Sequence, residues 1–120
     1  MKALIFAITA SISVMLLVGA NSFMLNRTLS SLIEECEAIP DETNMKAEYE
    51  ELYQSFMKKQ KFISLTVSHD DLTEIENDLA EIIGATLADD RDTLIIAKSR
   101  LVMTLTHLRR LSGVNLDSIL

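Results

Sequence analysis

Residues 3–26, ALIFAITASISVMLLVGANSFMLN, run without a charge between Lys2 and Arg27 and are apolar almost throughout from Ala3 to Ala20. As a helix rising about 1.5 Å per residue, this run spans roughly 36 Å, more than the roughly 30 Å hydrocarbon core of a bilayer. It reads either as a transmembrane anchor or as a signal peptide. Val18-Gly19-Ala20 sets short side chains behind the apolar run, so cleavage would follow Ala20. Against cleavage, the run exceeds the roughly 7 to 15 residues of a signal's hydrophobic region, and Phe23, Met24 and Leu25 continue it past the cut. The expected division is therefore residues 1–26 as anchor and residues 27–120 as a domain outside the membrane. Lys2 lies on one side and Glu34, Glu35 and Glu37 on the other, a slight positive-inside bias that puts the N-terminus in the cytoplasm of a single-pass membrane protein. Ala3, Ala7 and Ser11 recur every four residues, a small-residue stripe against which another membrane helix could pack closely.

The chain has 120 residues, enough beyond the leader for one small core. Three Gly, one Pro and no Trp, among abundant Leu, Ile, Glu and Ala, favour helices over sheet. The net charge is −7, and −8 beyond Lys2, which argues against nucleic acid and anionic lipid headgroups as ligands.

Leu25, Leu29, Leu32 and Cys36 follow at helical spacing, so the membrane helix is expected to continue as a packed helix until Pro40 stops it. Asp41-Glu42-Thr43-Asn44 offers caps for a second helix with Met45, Tyr49, Leu52, Phe56, Ile63 and Val67 on its apolar side. The segment from Ile63 to Val67 also alternates with period two, but no second run exists to pair with it, so it is assigned to helix. Ser68 caps a third helix presenting Leu72, Ile75, Leu79, Ile82 and Thr86, widened by Ile83 and Leu87, with Gly84 marking a close helix contact. A fourth, from about Arg91 to Ser112, presents Leu94, Ala97, Leu101, Leu105, Leu108 and Leu111, with Gly113 at its C-terminal cap and Val114 to Leu120 tucked against the bundle. The fold expected is all-α, a transmembrane helix followed by an antiparallel bundle of three to four helices.

The short link between the third and fourth helices makes them a hairpin, placing Leu72 near Leu108 and Leu79 near Leu101. That register predicts edge pairs of Asp71 with His107 and Asp78 with Arg100, each worth at most about 1 kcal/mol when exposed. Asp70, Glu74 and Asp78 form an acidic stripe, and Lys58 and Lys59, with Lys61, a basic cluster. The acidic stripe reads as a solvated face, a docking surface for a basic partner or a loose divalent-cation site, and the basic cluster as an interaction face or as meeting the acids of a neighbouring helix or subunit.

Cys36 is the only cysteine; its acidic neighbours disfavour a thiolate, leaving a core role or an intermolecular disulfide. With His69 and His107 alone, and no HExxH, Cys pair or calcium loop, no metal or other cofactor is expected. Phosphate-cradling glycine loops and GxSxG elbows are absent, so no catalytic residue is assigned and the chain is expected not to be an enzyme.

The run from Phe56 to Glu76, FMKKQKFISLTVSHDDLTEIE, and the closing Leu116-Asp117-Ser118-Ile119-Leu120 resemble the domain of unknown function 4363 family, small bacterial proteins with an N-terminal membrane segment and a helical remainder. The matching positions are Lys58 and Lys59, His69-Asp70-Asp71-Leu72, Ile75-Glu76 and the terminal pentapeptide; Phe56 and Ser118 stand where that family is expected to carry Trp and Asn. The resemblance implies a bacterial envelope location and brings no activity with it. The expected role is an accessory subunit or scaffold, bound to the lipid bilayer and to a membrane-protein partner or a second copy. The alternatives are an extracytoplasmic bundle sensing a small molecule or cation, and a secreted protein cut after Ala20.

Overall fold

The computed structural model describes residues 1–119, with side chains through Ser112. The chain is all-helical: α1 (Lys2–Ala38), α2 (Lys46–Ile63), α3 (His69–Leu87) and α4 (Arg91–Ile119). The helices form a ring in chain order, each packing on its two neighbours: α1 on α2 and α4, and α3 on α2 and α4. The most extensive contacts are those of α4 with α1 and with α3. Principal extents of 69 × 23 × 22 Å reflect the first helix projecting from the bundle.

α1 is unbroken over 37 residues, about 56 Å at 1.5 Å per residue. Up to Ala20 its side chains are exposed apart from half-covered Gly19, and from Ser22 onward one stripe, Ser22, Leu25, Leu29, Leu32, Ile33 and Cys36, is buried. Packing thus starts inside the apolar run, a few residues before the expected boundary at Arg27. Ile39 is already extended, as the residue before a proline must be, and the helix ends there.

α2 buries Tyr49, Leu52, Phe56 and Ile63, but none of the expected caps serves it. Its N-cap is Met45, without a side-chain hydrogen bond, and the Thr43 hydroxyl instead donates to Asp89 Oδ1 on the α3–α4 link. Residues 64–67 are neither helix nor strand: the Ile63 carbonyl accepts from both Thr66 N, at 3.1 Å, and Val67 N, at 2.9 Å, closing a turn. The α3 cap is as expected, Ser68 Oγ accepting from Asp71 N at 3.3 Å.

At the end of α3, Asp89 takes the left-handed conformation (φ 53°), with Asp90 N donating to Ala85 O and Asp89 N to Thr86 O. This is the paired arrangement that commonly ends helices, with Asp in the position glycine usually fills. Asp90 then accepts from Thr93 N at 3.2 Å and Thr93 Oγ1 at 2.6 Å to cap α4, bonds that hold its carboxyl below the usual range.

The core joins Leu25, Leu29 and Leu32 of α1 to Tyr49, Leu52 and Phe56 of α2, Leu72, Ile75, Leu79 and Ile82 of α3, and Leu94, Leu101, Leu105 and Leu108 of α4. Three expectations fail at its margins. Leu87 and Leu111 are 66% and 46% exposed. In place of Leu111, Ser112 is buried, where it accepts from Asn26 Nδ2 at 3.4 Å. Gly113 ends nothing, since α4 continues through Ile119; the expected packing of residues 114–120 falls outside the described side chains.

Gly84 marks no close helix contact, because a Cβ built there meets nothing within 4 Å. Lacking a packing reason for glycine in a helix interior, Gly84→Ala should stabilise the bundle by about 1 kcal/mol. Chemical denaturation of the two proteins, compared at constant m-value, measures the gain.

Candidate functional site

Three regions gather the residues with chemical potential: the junction of α1 with the bundle, the α1–α2 loop against α4, and the outer faces of α3 and α4. At the junction, Asn21 Nδ2 donates to Thr66 Oγ1 at 2.9 Å, tying the last turn of the projecting segment to the α2–α3 turn. One and a half turns on, Asn26 Nδ2 donates to the Arg109 carbonyl at 3.3 Å. Two hydroxyls of the projecting segment bond within the helix: Thr9 Oγ1 donates to Ile5 O and Ser13 Oγ to Thr9 O, both at 2.9 Å. It is long and apolar enough to cross a membrane, and none of its most apolar stretch is buried. Ala3, Ala7 and Ser11 are all exposed along it.

At the opposite end, Lys98 is buried. Its Nζ donates to the Ile39 carbonyl and to Asp41 Oδ1 (2.6 Å) and lies 5.7 Å from the centre of the Tyr49 ring. The Tyr49 hydroxyl donates to Pro40 O at 3.1 Å. Burial alone would push the Lys98 ammonium down, but the hydrogen bond to Asp41 and the contact with Tyr49 outweigh it and raise its pKa. The cluster fastens the α1–α2 loop onto α4. Cys36 lies beneath it, fully buried, its thiol pushed up to about 11 mainly by burial, with Lys98 opposing and Glu37 and Asp41 adding to the shift. A thiol so enclosed cannot meet a second chain while the bundle is folded, which removes the intermolecular disulfide.

The charged faces are less simple than their sequence pattern. Of the acidic stripe, Asp70 and Glu74 are exposed, whereas Asp78 is buried. Arg100 Nε approaches Asp78 Oδ1 at 3.6 Å, and its Nη2 donates to Glu81, so the pair has one sunken and one half-exposed member. Asp78 Oδ2 is buried with no hydrogen-bond partner. Burial raises the Asp78 carboxyl pKa; Arg100 opposes, while Glu74 and Glu81 reinforce the rise. Asp71 does not pair with His107: its Oδ2 accepts from Ser68 Oγ at 2.9 Å, and the exposed His107 lines an open groove with Glu74 and Arg110. Lys59 Nζ is 3.6 Å from Glu35, bridging α2 to α1, while Lys58 is exposed. Among the described residues no three His, Cys, Asp or Glu side chains converge to hold a metal.

Charge is sorted by height. In the half of the bundle next to the projecting segment (residues 21–30, 55–78 and 102–112) six basic residues face five acidic ones. In the far half (31–54 and 79–101) four basic residues face twelve acidic ones. The far half thus carries −8, and among the described side chains the near half has no excess of acid to repel anionic headgroups.

The interior holds an apolar void of about 10 Å³ between Leu32, Leu52, Phe56, Ile75, Leu79, Leu101 and Leu105. That is at the lower limit for one water, and it offers no polar partner. No family model matches the chain, and neither a curated protein nor a solved structure shows significant similarity to it.

Because Asp78 holds its proton more tightly folded than unfolded, it adds stability below the unfolded value of about 3.9 and loses it as pH rises through the folded value. Asp78→Asn, which removes the buried charge and leaves Arg100 its bond to Glu81, should therefore raise stability at pH 7 by about 1 kcal/mol. The advantage over wild type should shrink below pH 4. Thermal melts of both proteins across pH provide the comparison.

Proposed function

We propose that this protein is a non-enzymatic, membrane-anchored helical bundle that serves as an accessory subunit or scaffold for another membrane protein of the bacterial envelope. The observation that carries the reading is the continuity of α1: one unbroken helix provides both an unburied apolar segment and a wall of the core. A separate anchor would need only a tether. A rigid helix shared by anchor and bundle instead holds the bundle at fixed height and orientation, which suits a part that must meet a neighbour in the same membrane.

Supporting this, the core is filled with apolar side chains, and the histidines, His69 and His107, lie on the surface rather than around an internal polar cavity. A filled interior favours scaffold over small-molecule sensor. The resemblance to the domain of unknown function 4363 family points to the same envelope location, and Lys2 before the apolar run against Glu34, Glu35 and Glu37 after it favours a cytoplasmic N-terminus with the bundle outside.

The secreted form has one observation in its favour. Packing begins at Asn21 and Ser22, so a cut after Ala20 would remove no core residue. Intact-mass analysis of membrane-extracted protein separates the two: the anchored reading expects a chain that retains residues 1–20, and a chain starting at Asn21 overturns it. With the anchor retained, crosslinking in the membrane followed by detergent pull-down should recover a membrane-protein partner at defined stoichiometry. Recovery of the monomer alone would remove the scaffold role.

A further inference from the structure

The α2–α3 turn holds the most exposed large apolar side chain in the described bundle, Leu65, at 77% exposure. Water is a poor environment for it, yet no helix of the bundle covers it. Its surroundings suggest what does. Thr66, its neighbour, accepts from Asn21, the residue that follows the apolar stretch Ala3–Ala20. That stretch, 18 residues at about 1.5 Å each, measures roughly 27 Å, close to the thickness of the hydrocarbon core. The hydrogen bond therefore places the turn at the height where the helix leaves the hydrocarbon.

We propose that the α2–α3 turn is a second membrane contact, with Leu65 inserted at the headgroup–acyl boundary of the leaflet from which α1 emerges. This rests on the membrane-anchored reading of α1 and extends it to a named surface and a named partner, the phospholipid interface.

Three further features fit that partner. The turn's backbone is paired internally, Ser64 N with Gln60 O, Leu65 N with Phe62 O, and Thr66 and Val67 N with Ile63 O, so partial loss of water leaves few amide groups unsatisfied. Lys61, exposed on the last turn of α2, stands one turn from Leu65, and Arg27 and Arg109 lie about 9 Å above Ala20, at the level of the Asn26–Arg109 hydrogen bond. Cations at that height face lipid phosphates, with Asp70 and Asp71 in the first turn of α3 beside them, while the twelve acidic residues of the far half are held away. The height is fixed because α1 does not bend between the two contacts.

Single-cysteine labelling tests this in the full chain, reconstituted in mixed phosphatidylcholine and phosphatidylglycerol vesicles. Cys36 is buried, so wild-type protein serves as the labelling blank. An environment-sensitive fluorophore is attached at Leu65→Cys, at Leu17→Cys in the apolar segment, and at Leu87→Cys at the far end of α3. Quenching is then read with nitroxide lipids labelled at the headgroup or deep in the acyl chain. The proposal expects the label at 65 to lose about half its emission to headgroup nitroxide, the depth of an interfacial apolar group. The label at 17, about 5 Å inside the boundary at Ala20, should respond to both nitroxides and that at 87 to neither. If 17 is quenched and 65 behaves like 87, the turn stands clear of the bilayer and the proposal fails while the anchor survives. If 17 is not quenched either, the membrane reading itself fails.

Discussion

One unbroken helix that is both an unburied apolar segment and a wall of the core is the constraint from which the remaining architecture follows. Along α1 the surroundings change at Asn21–Ser22: before it the side chains are exposed and mostly apolar, and after it one stripe is covered by protein. Before it, Thr9 and Ser13 bond back to the preceding turn, and after it the covered stripe runs from Ser22 to Cys36. Since no break separates the two regimes, the other three helices must arrange themselves around a rod whose position is already decided. The ring order, with α4 packed along α1 and α2 closing the opposite side, is the arrangement four antiparallel helices reach when every connection is short.

The two ends of the bundle are held by different physics. Near the projecting segment, neutral amides and hydroxyls do the joining, through Asn21 with Thr66 and Asn26 with Ser112 and the Arg109 carbonyl. At the far end the join is charged: Lys98 reaches across to Ile39 and Asp41, with Tyr49 stacked against it. Neutral pairs lose little where the local dielectric falls, whereas a charged cluster is tolerable where Asp41 still meets water. Asp78 is the exception, a carboxylate sunk between helices with one oxygen unpaired. Its cost is consistent with a position selected for register rather than for stability.

How much of this is legible in the residues depends on whether the deciding interaction is local. The continuity of α1 follows from the spacing of Leu25, Leu29, Leu32 and Cys36, and the start of α3 from Ser68, because both are settled within a few residues. The burial of Lys98 has no such signal: a lysine on a helix reads as exposed until the loop from Ile39 to Asp41 is folded over it. The same holds for Thr43, which looks like a cap for α2 and bonds Asp89 across the structure instead. Leu87 and Leu111 continue their helices' apolar stripes in sequence but are left exposed by the surrounding helices. The pairing of Asp78 with Arg100 was accessible from hairpin register; that Asp78 would be buried rather than at an exposed edge was not, since burial depends on how deeply two helices interlock.

The unbroken α1 also has a rotational consequence. A helix turns about 100° per residue, so every side chain's azimuth is locked to every other's. On that count the mean direction of Ala3, Ala7 and Ser11 lies within about 20° of the mean direction of Leu25, Leu29, Leu32 and Cys36. A membrane helix seated against the small residues would therefore stand over the bundle's own axis rather than beside it, and its extension beyond the bilayer would run into the α2–α3 turn. Inserting a single residue near Asn21 would swing that stripe by more than a quarter of a turn while leaving both halves of the helix intact. The chain thus carries angular information from the projecting segment to the bundle, in the manner of a keyed shaft.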